Sequence, residues 1–141
     1  MCRDRSDPAV RRPYEGWVVG LGAALVGVSV AHVAEDFVYG VPARFGVSVA
    51  TAALLAGTAY AGHVVLIALA ARDETCGYAG NLVAGIGWFL AAALDHLGEV
   101  LFDSPYRAGF ISKALEVGTM LIGLALASAS ALAWRERRRV P

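Results

Sequence analysis

Charge and cysteine are what this chain of 141 residues is short of. Only 17% of the residues are charged and only two are cysteines, Cys2 and Cys76. A soluble domain usually devotes about a quarter of its residues to charge, so a fully solvated surface is not what this composition builds. Two cysteines this far apart match neither a zinc knuckle nor a disulfide framework. Basic residues occur only in short groups beside apolar runs, which excludes a nucleic-acid-binding surface. Strand-like alternation is missing as well, so the apolar residues have no β-barrel pattern to fill.

What is present is apolar length. Hydrophobic residues make up 57% of the chain. Val18 to Ala31 carries no charge, and its apolar character resumes beyond an acidic pair as far as Val41. Phe45 to Ala71 is uncharged, and Ala79 to Leu94 and Val117 to Trp134 supply two further runs. Each approaches or exceeds the roughly 20 residues that cross a bilayer as a helix. The expected fold is all-α: a four-helix, up-down-up-down transmembrane bundle with helices near 16–40, 45–71, 79–102 and 108–135. Residues 1–15 form a cytoplasmic polar arm, 16–135 a single transmembrane domain and 136–141 a basic cytoplasmic tail. Short connections make neighbouring helices antiparallel. Small residues four apart, at Gly16, Gly20 and Ala24 and at Ala53, Gly57 and Ala61, predict close helix contacts.

The formal net charge is zero, but its layout is uneven. Arg3, Arg5, Arg11, Arg12, Arg72, Arg135, Arg137, Arg138 and Arg139 fall on one side of the four spans; Arg44, Arg107 and Lys113 fall on the other. The excess of basic residues places both termini in the cytoplasm of a cell (plasma) membrane protein, and an even number of spans requires the termini to share a side. A leader cleaved before His32 is the rival, but it would leave three spans and strand the basic C-terminus outside.

A weak repeat runs through the chain. His32-Val-Ala-Glu35 precedes Pro42-Ala-Arg44, and His96-Leu-Gly-Glu99 precedes Pro105-Tyr-Arg107. Gly46 and Gly109 also correspond, which predicts two related helical hairpins in the same orientation.

In this topology the outer halves of three helices carry ionisable groups at one depth. His32, Glu35 and Asp36 lie on the first, Asp95, His96 and Glu99 on the third, and Lys113 and Glu116 on the fourth. Residues three or four apart share a helical face, and the first and third helices of such a bundle are diagonal, so the two H-x-x-E faces are expected to meet. Acidic groups outnumber basic ones there, and each charge in mid-membrane costs at least roughly 2.5–3.5 kcal/mol.

Two histidines and three carboxylates (His32, Glu35, His96, Glu99 and Glu116) suit a divalent transition metal such as Zn, Fe or Mn. Asp36, Asp95, Lys113 and His63 stand in support. The set is analogous to the inward-facing ligands of soluble di-iron bundles, with the order of His and Glu reversed. It suits membrane-embedded redox or hydrolytic chemistry on a lipophilic substrate. Proton or ion translocation by a homo-oligomer is the alternative, with His63 as the next station inward. Haem held between His32 and His96 and a non-catalytic assembly subunit are the third readings. His63 by itself reads as a hydrogen-bonded core histidine, and Lys113 and Glu116 as a pair along one helix.

The topology has a direct check. A membrane-impermeant maleimide applied to right-side-out vesicles is expected to label Cys2 and Cys76 only after permeabilisation; labelling of intact vesicles would reverse the orientation.

Overall fold

The computed structural model describes residues 13–102 and 109–138, leaving aside the side chains at 13, 97, 99 and 100. Five helices appear: α1 (Pro13–Val38), α2 (Val41–Arg44), α3 (Val49–Ala70), α4 (Thr75–Leu101) and α5 (Phe110–Arg137). Among the described residues there is no strand. The four long helices pack into an all-α bundle and are each long and apolar enough to cross a membrane. Many large apolar side chains, among them Leu54, Leu55, Val64, Val83, Leu90 and Leu94, stay exposed on the bundle surface. Such a surface is costly in water and ordinary in lipid. The chain has the build of a membrane protein.

Hydropathy locates the four runs but not their ends. The predicted connection from Gly40 to Phe45 contains the single-turn helix α2, entered through Gly40 at φ 69°. Ser48 caps α3 by accepting the Thr51 amide hydrogen at 3.1 Å. Helix α4 starts earlier than its apolar run, at Thr75, because polar interactions hold its first turn. The Tyr78 hydroxyl donates to Asp73 Oδ1 at 2.9 Å, and Asp73 Oδ2 meets Arg137 at 3.0 Å. The turn between α3 and α4 is thereby tied to the C-terminal end of α5.

Helix α5 lies against both α4 and α1. Its buried residues Ser112, Glu116, Thr119, Gly123, Leu126, Ser130 and Ala133 recur in steps of four and three, which is the seam of a packed bundle helix. Helix α3 is the contrast: only His63 and Ala70 are buried along its 22 residues. Helices α1 and α4 form the diagonal pair.

The small-residue stripes do not behave as expected. A Cβ built on Gly16, Gly20 or Gly57 would meet nothing within 4 Å, and Ala24, Ala53 and Ala61 are exposed. Close approach occurs instead where α4 crosses α5. A Cβ on Gly85 would stand 2.6 Å from the Gly123 carbonyl oxygen, and one on Gly123 would stand 2.9 Å from that of Gly85. Spacing identifies stripes of small residues, but only helix rotation decides which stripe meets a neighbour. The corresponding glycines of the two hairpins, Gly46 and Gly109, both adopt positive φ, at 67° and 65°.

This contact predicts a split between two neighbouring glycines. Gly85→Ala forces the α4 and α5 backbones apart and is expected to lower stability by about 1–3 kcal/mol, the range for overpacking. Gly87→Ala, with nothing within 4 Å of its new methyl, should be neutral or stabilising by about 0.4–1 kcal/mol. Thermal unfolding in detergent compares the two; equal shifts would remove the glycine contact as the organising crossing.

Candidate metal centre

Three helices deliver the site. Helix α1 presents His32, α4 presents His96 and α5 presents Glu116, and these side chains are 5%, 1% and 1% exposed. Each offers a ligand atom within 4.8 Å of the others'. Asp36, Asp95 and His96 form a second such group, with both aspartates half-buried. His96 belongs to both.

The distances are specific. His96 Nδ1 stands 3.2 Å from Glu116 Oε1, and His96 Nε2 stands 3.0 Å from Asp95 Oδ2 and 3.8 Å from Asp36 Oδ1. His32 Nε2 is 3.6 Å from Asp36 Oδ2, one turn along the same helix. The two imidazoles touch edge to face, with centroids 5.0 Å apart at an interplanar angle of 72°. That contact leaves no room for a macrocycle between them, so the geometry does not support haem held by both histidines.

The predicted site residues divide. His32, His96 and Glu116 converge. Asp36 and Asp95, expected only in support, join them within ligand distance. Glu35 does not: it accepts the Ser112 hydroxyl from α5 and is in neither group. The reason is angular. At about 100° per residue, Asp36 lies about 40° ahead of His32 around α1, whereas Glu35 lies about 60° behind it. The first direction leads toward His96 and the second toward Ser112. The side chain of Glu99 lies outside the described residues, as do residues 103–108 with Pro105 and Arg107. Lys113 is half-buried near the start of α5.

Sequence reading missed Ser112, although it is one turn before Glu116 on the buried seam of α5. It is fully buried, and its hydroxyl gives Glu35 a donor without adding charge.

His63 occupies a different level. It is 2% exposed on α3 and belongs to neither ligand group. Asn81 of α4 faces it as a side-chain partner, and the ring is buried, as a core histidine is expected to be. Tyr60, one turn away on α3, stacks on Trp88 at 5.0 Å. His63 and Trp88 also line a groove of about 400 Å³ between α3 and α4.

Several other hydroxyls are satisfied within their own helices. Ser29 donates to the Leu25 carbonyl at 2.6 Å, and Thr119 donates to that of Leu115 at 2.9 Å. Such back-bonding suits a segment with no water to turn to.

No family model matches the chain, and comparison with curated proteins and with solved structures likewise finds no match. The functional reading therefore rests on the geometry.

Proposed function

We propose that this is a plasma-membrane protein, with both termini cytoplasmic, that binds a divalent transition metal at the extracytoplasmic end of its bundle. His32, His96 and Glu116 are the principal ligands, supported by Asp36 and Asp95. The observation that carries this reading is the convergence of three buried ligand atoms, from three helices, within 4.8 Å.

The spacing within the cluster also favours a cation. Ligands at roughly 2.0–2.1 Å from a tetrahedral ion lie about 3.3 Å from one another. The separations of 3.0, 3.2, 3.6 and 3.8 Å fall around that value, and the two longest exceed the usual hydrogen-bond range of roughly 2.7–3.2 Å. Two imidazoles with several carboxylates suit Zn, Fe or Mn. When bound, such an ion supplies Lewis acidity or redox capacity. The protein's part is to fix the ligands on three helices, to orient Glu35 through Ser112 and to limit access by water. The groove beside Trp88 offers an apolar place for a lipophilic substrate. The positive φ shared by Gly46 and Gly109 favours an origin of the two hairpins by duplication.

Proton movement is the second reading, favoured by the buried, polar Tyr60, His63 and Asn81. It calls for a homo-oligomer, since four helices enclose little space for a transport path.

Elemental analysis of purified protein separates these. Stoichiometric Zn, Fe or Mn is expected in the wild type. His32→Ala, His96→Ala and the isosteric Glu116→Gln should each weaken binding beyond the roughly 10–100-fold typical of losing an outer-shell partner, in protein that remains monodisperse. Metal-free, colourless protein that carries a proton flux in liposomes, lost in His63→Phe, would replace the metal reading with the second.

A further inference from the structure

Resting on the metal reading, we propose that Asp36 and Asp95 form the entry to the centre: a divalent ion comes in from the extracytoplasmic side between these carboxylates and reaches the buried ligands past His96. Their supporting part is thereby a kinetic one, on the route to the final ligand set.

Depth and exposure set the order. Asp36 stands two residues before the end of α1 and His32 six, so at 1.5 Å per residue they lie about 3 and 9 Å from that end. Glu116 lies six residues inside α5, also about 9 Å from its outer end. The Asp36 and Asp95 side chains are 16% and 21% exposed, whereas His32, His96 and Glu116 are buried. His96 joins the two levels. Its Nε2 stands 3.0 Å from Asp95 Oδ2 and 3.8 Å from Asp36 Oδ1, and its Nδ1 stands 3.2 Å from Glu116 Oε1. An ion passing the aspartates is therefore one imidazole's width from the buried carboxylate.

The other directions are closed. One turn inward of the ligands, the Ser29 and Thr119 hydroxyls donate to carbonyls of their own helices. Farther inward the bundle is filled by Leu25 and Leu126, both fully buried. Sideways lies the apolar surface that faces lipid. A divalent ion sheds its water at tolerable cost only where ligands take the water's place, and hydrocarbon offers none. Carboxylates that still touch water can make that exchange in steps. They serve here as oxygen ligands and not as excess charge, since Lys113 and Arg44 bring positive charge to the same end.

Loading kinetics on the full-length protein test the proposal, with Co²⁺ as the probe and its visible absorption as the readout. In sealed right-side-out vesicles, whose orientation maleimide labelling reports, external Co²⁺ is expected to load the wild type. In detergent, the pair Asp36→Asn with Asp95→Asn is expected to take up as much Co²⁺ as the wild type at saturation. It should load more slowly by about 10-fold or more, the scale on which groups around a metal site act, and release the ion no faster. Vesicles that load only after permeabilisation would overturn the entry route. So would a variant that loads at the wild-type rate, releases its ion faster or binds none. Each of those results leaves the metal centre standing. No Co²⁺ bound by the wild type in detergent would overturn the route and the metal reading together.

Discussion

Ionisable side chains in hydrocarbon must be kept from the lipid and matched by opposite charge, and the architecture of this bundle follows from that requirement. At a cost of roughly 2.5–3.5 kcal/mol or more for each uncompensated charge, His32, Asp36, Asp95, His96 and Glu116 cannot be spread around the surface. The fold gathers them between α1, α4 and α5. Helix α5 is the agent of this arrangement, because its buried seam is built mostly of small and polar residues. The Gly85–Gly123 crossing draws α4 against α5, and the diagonal helix α1 then reaches His96 through His32 and Asp36. Among the described residues helix α3 contributes nothing to that group, and it can remain nearly all exposed.

The polar groups are layered along the bundle. At the end that carries the basic C-terminal segment, Tyr78, Asp73 and Arg137 form a closed set of short contacts. It resembles an ordinary structural clamp: each charge has its opposite, and all three residues are accounted for. At the other end His96 has carboxylate oxygen beside both ring nitrogens, and His32, His96 and Glu116 stand within ligand distance of one another. That convergence of ligand atoms from three helices is the strongest reason to read this layer as a binding site.

The sequence made the number of long helices legible, because a run of apolar residues without strand alternation permits little else in a bilayer. It also brought His32, His96 and Glu116 to one depth, since depth follows from counting residues along antiparallel helices. It did not reveal rotation. Helices α1 and α3 are apolar nearly all round, so no polar face fixes which side turns inward. The stripe at Gly16 and Gly20 was as good a candidate for contact as Gly85 and Gly123, and Glu35 as good a ligand as Asp36. Both choices turned on tens of degrees about a helix axis, which packing decides and composition does not. The early start of α4 escaped for a related reason: hydropathy is blind to a first turn held by Asp73 and Tyr78. On α5 the buried seam runs through Ser112, Glu116 and Thr119, of which the sequence reading singled out Glu116 alone.

The exchange of Glu35 for Asp36 alters what the repeated motif means. If His-x-x-Glu were the functional unit, duplication would give a symmetric centre with matched ligands from both hairpins. Among the described side chains, the first hairpin supplies a histidine and the acid four residues later, and the second supplies a histidine and the acid immediately before it. Glu116 has no counterpart in the first hairpin, where the equivalent helix α3 carries no acid at all. His32 meets carboxylate oxygen through Nε2, at Asp36, and His96 does so through both nitrogens. The two H-x-x-E segments bring the imidazoles together, and the three carboxylates of Asp36, Asp95 and Glu116 all stand beside His96. That position places His96 at the centre of the site.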